Sequence, residues 1–141
     1  MTDRDQAPPA SGIELRRSED IVLARQTGRD WACRLGFRMV DQIRLATAIS
    51  EIARNAVRYG GGGQCEITTT TTPLFCEISI VITDHGPGIP DVEQAMTPGF
   101  STGNSLGMGL SGARRLVDRM TLVSRPGLTT VTLVMRRSVH P

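Results

Sequence analysis

Residues 50–63 read SEIARNAVRYGGGG, which predicts the end of a helix followed at once by a chain reversal. Glu51 and Asn55 are four residues apart and therefore share one face of that helix. The run of glycines at 60–63 stops it, because glycine strongly disfavours a helix interior. A carboxylate that can take a proton and an amide oxygen suited to Mg²⁺ are useful neighbours for phosphoryl transfer. On spacing alone, a polar pair facing water is the plainer interpretation.

Two helices are predicted before the glycines. Apolar residues recur at helical spacing from Val40 to Val57, which predicts a helix over about 40–58. Upstream, Ser18 is predicted to cap a second helix that ends near Gly36. Residues 13–16 (IELR) are predicted to form a short edge strand. The positions that define the apolar stripe of the later helix are Val40, Ile43, Ala46, Ile49, Ala53, Ala56 and Val57.

The chain after the glycines is predicted to form two hairpins separated by a helix. Residues 64–71 are rich in β-branched side chains, Thr72-Pro73 marks a turn, and alternation at 76–82 predicts the returning strand. The helix is predicted from apolar spacing at Leu110, Ala113, Leu116, Val117 and Met120, and the last two strands are predicted at 120–124 and 129–136. The order of elements predicts an α+β fold: a two-layer α/β sandwich with a mixed, mostly antiparallel sheet and helices on one face.

Size and composition narrow the class of protein. The chain has 141 residues, of which 39% are hydrophobic and 21% charged, as expected for one soluble domain. We expect a flexible tail at 1–12 and a single domain at 13–141. A net charge of +2 with 4% aromatic residues does not favour nucleic-acid binding, and no apolar run suggests a membrane partner. Three cysteines without a CxxC pair predict reduced core residues in a cytoplasmic protein; they are Cys33, Cys65 and Cys76.

A second segment, ITDHGPGIP at residues 82–90, combines an acid with alternating glycines. Asp84 ends an apolar strand, and Gly86 and Gly88 follow it. An acid at this position can accept a hydrogen bond from an exocyclic amine, while the glycines let the backbone approach a flat base. A turn capped by the aspartate explains the same residues. We interpret His85 as an incidental surface residue.

A third segment, FSTGNSLGMGL at residues 100–110, leads into the predicted third helix. Ser101 and Thr102 supply hydroxyls, and the glycines allow the backbone to approach a ligand at a helix N-terminus, where anions bind. A tight connection is the alternative. All 16 basic residues are arginine, so the segment is not a Walker A loop, which requires lysine. The glycine- and proline-rich chain between residues 84 and 108 is long enough to predict a functional lid.

The three segments together resemble a known family. E51-x-x-x-N55-A56, D84-x-G86-x-G88 and G107-M-G109-L110 are similar to the N box and the two glycine boxes of the Bergerat-fold ATPases, which include gyrase, Hsp90, histidine kinases and MutL. The resemblance extends over about residues 13–137. It implies binding of ATP and Mg²⁺ under a mobile lid on an α/β sandwich.

Within this superfamily the chain most resembles the small serine/threonine kinases that control sigma-factor switching, of the stressosome switch-kinase type. The resemblance implies a kinase that phosphorylates a STAS-domain antagonist, with activation of a PP2C-type phosphatase as a further output. Two alternatives stay open: an anti-sigma factor that sequesters a sigma subunit, and a nucleotide-dependent binding module with little catalysis. Anti-sigma kinases commonly have a histidine soon after the N box. Residues 58–60 (RYG) occupy that region here, which favours the switch-kinase branch.

The resemblance also implies roles for individual residues. Glu51 would be the general base, Asn55 would hold Mg²⁺, and Asp84 would bond the adenine amino group. Thr129 would support that aspartate through water, although Leu128 replaces the glycine usual before it. Arg54 or Arg58 would add positive charge near the phosphates, with a solvated helix face as the alternative. The implied ATP-binding set is Asn55, Arg58, Asp84, Gly86, Gly88, Ile89, Ser101, Thr102, Gly103, Leu106, Gly107, Met108, Gly109, Leu110 and Thr129.

Overall fold

The computed structural model describes residues 11–89, Met96 and residues 109–139. Within these ranges three helices and five strands follow the predicted order. The helices are α1 (Ser18–Arg34), α2 (Met39–Arg58) and α3 (Gly109–Leu116). The strands are β1 (Ser11–Leu15), β2 (Gly63–Thr71), β3 (Phe75–Asp84), β4 (Arg119–Arg125) and β5 (Leu128–Ser138).

The strands form one sheet in the order β1-β2-β3-β5-β4. Each of the four neighbouring pairs is antiparallel, so this sheet contains no parallel pair among the described strands. Alternate residues of β3 are buried, as its period-2 pattern predicts, and Ile78, Ile80 and Ile82 point towards the helices. The predicted α+β class is confirmed, and the sheet is wholly antiparallel where a mixed one was expected.

The core lies between the sheet and the helices. Leu45, Ile49 and Ile52 of α2 are buried in this core. Gly28 allows α1 to approach α2 closely, because a Cβ built on Gly28 would lie 2.3 Å from Cδ1 of Ile49. Burial of such aliphatic side chains stabilises a fold by about 1.5–3 kcal/mol each. Within the described ranges, no helix is long and apolar enough to cross a membrane.

The start of α1 differs from the prediction. Ser18 lies inside the helix, and Arg17 occupies the N-cap position. The Asp20 carboxylate accepts the backbone N–H groups of Arg16 and Arg17 at 2.8 and 2.9 Å, respectively. These hydrogen bonds lower the pKa of Asp20. The acid of the first turn therefore binds the amides of the N-cap residue and of the residue before it, as the acid of a capping box does.

The predicted apolar stripe of α2 is wrong at its first turn. Val40 is 45% exposed and Ile43 is 48% exposed. The buried stripe is centred on Ile49 and Ala53, and Val40 lies roughly 2.5 helical turns before Ile49, which places it on the opposite face. Apolar residues therefore occur on both sides of this helix, and periodicity alone did not separate them.

Two smaller predictions are also corrected. Cys33 is exposed on α1, whereas Cys65 and Cys76 are buried, and all three are free thiols. The last helix ends at Leu116, so Met120 belongs to β4 and not to the helix. Apolar spacing continued across the junction, because alternate residues of β4 also face the helices.

Candidate functional site

The candidate site is built on one end of the sheet. Asp84 of β3 pairs in register with Thr129 of β5, and Thr129 pairs with Ser124 of β4. The three side chains therefore form a row across neighbouring strands, on the face that carries the helices. Thr129 is 6% exposed. The sheet places a carboxylate and two hydroxyls at the position where the second predicted segment leaves the strand.

The C-terminal half of α2 supplies the second group of residues. Glu51 and Asn55 are both half-buried on the same side of the helix, as their spacing predicts. Arg54 donates to Glu51, with Nη1 2.9 Å from Oε2. Arg58 lies one turn further along and is exposed. The helix thus presents a carboxylate, an amide and two guanidinium groups along its partly exposed side.

Close contacts between glycines bring α2 and the Asp84 loop together. A Cβ built on Gly60 would lie 2.4 Å from Cγ of Asp84, and one built on Gly86 would lie 2.5 Å from Cα of Gly60. A Cβ on Gly63 would lie 1.9 Å from the carbonyl oxygen of Thr83. A side chain at Gly63 or Gly86 would overlap backbone atoms, and one at Gly60 would displace the Asp84 side chain. The helix that carries Glu51 and Asn55 consequently ends directly beside Asp84.

The loop after Asp84 is held by its own carboxylate and by the β4–β5 turn. Oδ1 of Asp84 accepts the N–H of Gly86 at 3.0 Å, which is the aspartate-capped turn foreseen as the alternative interpretation. This contact does not exclude ligand binding, because an ionised carboxylate has about four acceptor sites. The carbonyl of Gly86 accepts the N–H of Gly127 at 2.9 Å. Ile89 donates its N–H to Oγ of Ser124 at 2.7 Å.

Gly88 and His85 occupy different parts of this loop. Gly88 has a φ of +87°, and a Cβ there would lie 2.6 Å from the carbonyl oxygen of Arg125, so both conformation and space require glycine. The predicted surface position of His85 is confirmed, since its side chain is exposed. Its Nδ1 lies 3.3 Å from the carbonyl oxygen of Gly127.

The third predicted segment is described only at its end. Gly109 begins α3, and Leu110 is 8% exposed, with its side chain in the hydrophobic core. Most of the lid predicted between Asp84 and Met108, namely residues 90–95 and 97–108, lies outside the described residues. The candidate positions that lie outside them are Ser101, Thr102, Gly103, Leu106, Gly107 and Met108.

Several residues of the site were not predicted from the sequence. Ser124, Gly60 and Gly127 all contact the Asp84 loop or Thr129. A signal for Ser124 did exist: a two-residue turn at Pro126-Gly127 sets the register that pairs Ser124 with Thr129. The role of Gly60 depends on a contact between α2 and β3 that no local pattern encodes.

The described residues of the site do not form a metal site by themselves. Within the described part of the chain, no group of three His, Cys, Asp or Glu side chains is placed to do so. An amide such as that of Asn55 suits Mg²⁺ when substrate phosphates and water supply the other oxygens. The available donor therefore fits a metal that arrives with a nucleotide.

Comparison with known proteins finds relatives that cover most of the chain. The model for histidine kinase-, DNA gyrase B- and HSP90-like ATPases matches residues 40–138. The serine/threonine-protein kinase RsbT of Bacillus subtilis (strain 168) is 46% identical over 117 residues, which cover 83% of this chain and 88% of that protein. An anti-sigma F factor of Bacillus licheniformis is 30% identical over 127 residues, covering 86% of this chain and 87% of that protein.

Solved structures share the fold. The RsbU and RsbW domains of Rv1364c from Mycobacterium tuberculosis superpose with a TM-score of 0.65 at 22% identity, covering 94% of this chain and 33% of that one. The mycobacterial sensor histidine kinase MprB gives a TM-score of 0.51 at 18% identity, covering 91% and 97% of the two chains. The α/β sandwich of these proteins is therefore the fold of this chain.

Proposed function

The chain belongs to the family of histidine kinase-, DNA gyrase B- and HSP90-like ATPases, and we propose that it is a serine/threonine protein kinase of a partner-switching pathway. The observation that carries this proposal is the placement of Glu51 and Asn55 on one side of α2, which ends against Asp84. The identity of 46% to RsbT supports the protein-kinase branch. We place the ATP-binding domain at residues 13–141.

Nucleotide recognition is assigned to the end of the sheet. Asp84 accepts a hydrogen bond from the exocyclic amine of adenine. Thr129 is buried beside Asp84 in register and supports the carboxylate. The closely packed glycines at 60, 86 and 88 hold the backbone after Asp84 against the end of α2 and the β4–β5 turn, and we propose that the base lies beside this backbone. Guanine has a carbonyl in place of the amine, so this arrangement favours ATP over GTP.

Phosphoryl transfer is assigned to α2. Glu51 takes the proton of the serine or threonine hydroxyl of the substrate protein as the hydroxyl oxygen forms a bond to the γ-phosphorus. The bond between the γ-phosphorus and the bridging oxygen breaks, and ADP leaves. Arg54 holds one oxygen of the Glu51 carboxylate at 2.9 Å and so limits its orientation.

The metal is assigned to Asn55. Mg²⁺ neutralises phosphate charge when bound, and the Asn55 amide oxygen is the protein ligand that this chain would offer. Its half-buried position on α2, one turn from Glu51, supports the assignment. The exposed Arg58 adds positive charge on the same side of the helix. Lysine is therefore not required for phosphate binding, in keeping with a chain that contains none.

The substrate is proposed to be a STAS-domain antagonist protein of the cytoplasm. The exposed face of α2 supports docking of a protein close to Glu51, because Val40 lies eleven residues earlier, or about three helical turns along the same side. Val40 is 45% exposed, and the side chain of Arg44 beside it is 52% exposed. This face suits a partner that presents apolar side chains flanked by carboxylates.

A PP2C-type phosphatase and a sigma factor are further proposed partners. The anti-sigma F factor relatives, at 29–30% identity, keep sequestration of a sigma subunit as the second candidate function. Arg58-Tyr59-Gly60 stands where a histidine is common in that branch, which favours the kinase as the first candidate.

The test is transfer of labelled phosphate from ATP to a STAS-domain protein that co-purifies with the chain. Wild-type protein should label a serine or threonine, and EDTA should stop the reaction. Glu51→Gln should lower the rate by about 10²–10⁴-fold with ATP affinity retained. Glu66→Gln is the matched control, because Glu66 is an exposed carboxylate on β2. A wild-type protein that binds ATP and the partner without transferring phosphate would leave only a nucleotide-dependent binding module.

A further inference from the structure

We propose that Ser124 is a positioning residue for the base-binding end of the site, joining Thr129 to the backbone of the Asp84 loop. The inference rests on the proposed binding of ATP at Asp84. Ser124 belongs to β4, the edge strand furthest from β1, and no sequence motif marked it. Its side chain is half-buried and faces the same side of the sheet as Asp84 and Thr129.

The hydroxyl of Ser124 makes two short hydrogen bonds at once. Oγ accepts the N–H of Ile89 at 2.7 Å and lies 2.7 Å from Oγ1 of Thr129. A hydroxyl has one proton and two acceptor lone pairs, so Ser124 can accept from Ile89 and still donate to Thr129. When Ser124 donates, the proton of Thr129 is free for an acceptor on the Asp84 side. We assign this direction to the hydrogen bond.

The consequence is that two strands and one loop are joined at a single oxygen atom: β4 through Ser124, β5 through Thr129 and the Asp84 loop through Ile89. Thr129 is the cross-strand neighbour of both Asp84 and Ser124. Ile89 follows Asp84 by five residues in the loop after β3. Ser124 therefore sets the separation between the carboxylate that would bind adenine and the backbone that would lie beside the base. Removing the hydroxyl leaves the Ile89 N–H and the Thr129 hydroxyl without this partner.

Other contacts between the same two loops allow the hydroxyl to be tested alone. The N–H of Gly127 donates to the carbonyl of Gly86 at 2.9 Å, and Gly88 packs against the carbonyl of Arg125. These contacts involve only backbone atoms, so Ser124→Ala does not remove them. The variant should keep the β4–β5 turn docked on the Asp84 loop while losing the side-chain hydrogen bonds.

The experiment compares Ser124→Ala, Ser124→Thr and Thr130→Ala with wild-type protein. Thr130 is the control because it follows Thr129 on β5 and points to the opposite face of the sheet. Calorimetry measures ATP and GTP affinity, hydrogen exchange measures protection of the Ile89 amide, and urea unfolding measures stability. Ser124→Ala should bind ATP about 5- to 20-fold more weakly and lose part of its preference for ATP over GTP. The Ile89 amide should exchange faster in the same variant.

Ser124→Thr should restore ATP affinity to within about twofold of wild type, since threonine keeps the hydroxyl and suits a strand. Thr130→Ala should leave nucleotide affinity and Ile89 exchange unchanged. The inference is overturned if wild-type protein binds ATP and Ser124→Ala binds it equally well, a result that would leave the kinase proposal standing. A wild-type protein without ATP affinity would overturn the nucleotide assignment and this inference together. Loss of stability in Ser124→Ala with unchanged ATP-to-GTP preference would show a purely structural role and also overturn it.

Discussion

Nη1 of Arg54 lies 2.9 Å from Oε2 of Glu51, so the proposed general base is ion-paired to a residue of its own helix. The pair is spaced i, i+3, and the side chains are 42% and 20% exposed, respectively. An ion pair of this kind stabilises a helix by only about 0.2–0.5 kcal/mol. We propose that its importance is orientational: it holds one carboxylate oxygen and would leave the other for a substrate hydroxyl.

This ion pair distinguishes Arg54 from Arg58, for which the sequence predicted the same role. Arg54→Ala should lower kcat about tenfold with little change in KM for ATP, because a misplaced base reacts more slowly. Arg58→Ala should instead weaken ATP binding about two- to fivefold, with less effect at high salt, because an exposed charge near phosphates is screened. Steady-state kinetics at two ionic strengths measures both. An equal rise in KM for ATP in both variants would contradict the division of roles.

Asp84 is expected to discriminate between the bases. Asp84→Asn replaces an acceptor by a group that is partly a donor and removes the charge, so ATP binding should weaken by about 1.5–3 kcal/mol. Wild-type protein should bind GTP poorly. Calorimetry with both nucleotides checks the two statements. Equal affinities of wild-type protein for ATP and GTP would refute the assignment of adenine to this carboxylate.

Local patterns in the sequence predicted most of the fold. Strand alternation at Ile78, Ile80 and Ile82, the glycine stop after Arg58 and the Thr72-Pro73 turn all depend on residues close in sequence. The predictions of burial were wrong where burial depends on which element packs against a residue. Val40 continues the helical spacing of α2, yet lies on its solvent side. Cys33 was expected in the core and is exposed.

Short motifs in the sequence predicted part of the candidate site as well. The Glu51 and Asn55 pair and the Asp84 turn were visible because each is a short motif. Ser124 and Gly60 were not, because their contacts join elements that are distant along the chain. The pairing of Ser124 with Thr129 follows from hairpin register, which is local, but its contact with Ile89 does not. The contact of Gly60 with Asp84 follows from the packing of α2 against β3, which spacing does not encode.

Alkaline pH should destabilise the protein through Cys65. Burial, with a smaller contribution from Glu66, raises the pKa of this thiol from 9.0 to about 12. Because the folded state disfavours the thiolate, Cys65 leaves the free energy of unfolding at its full value below pH 9, where the thiol is protonated in both states. That free energy decreases as pH rises from 9 towards 12. Between these values the free energy of unfolding should fall by about 1.4 kcal/mol per pH unit from this group.

Urea unfolding at several pH values between 8 and 11 measures the effect. Cys65→Ala should be less stable at pH 8, since it leaves a cavity, yet its stability should decline less steeply with pH. Cys33→Ala is the matched control because Cys33 is exposed. That variant should keep the wild-type slope. Identical slopes for wild-type protein and Cys65→Ala would contradict the predicted linkage.

Replacing Gly60 is expected to weaken nucleotide binding although this residue carries no functional group. A Cβ at this position would lie 2.4 Å from Cγ, 2.5 Å from Oδ1 and 2.7 Å from Cβ of Asp84, so the Asp84 side chain must move in Gly60→Ala. The φ of Gly60 is not positive, so the backbone itself tolerates alanine. ATP affinity should therefore fall at least about tenfold, with a smaller loss of stability. Gly12→Ala is the control, since no atom lies within 4 Å of a Cβ there. Calorimetry and urea unfolding of both variants test the prediction: a folded Gly60→Ala protein with wild-type ATP affinity would mean that the position of Asp84 does not determine nucleotide binding.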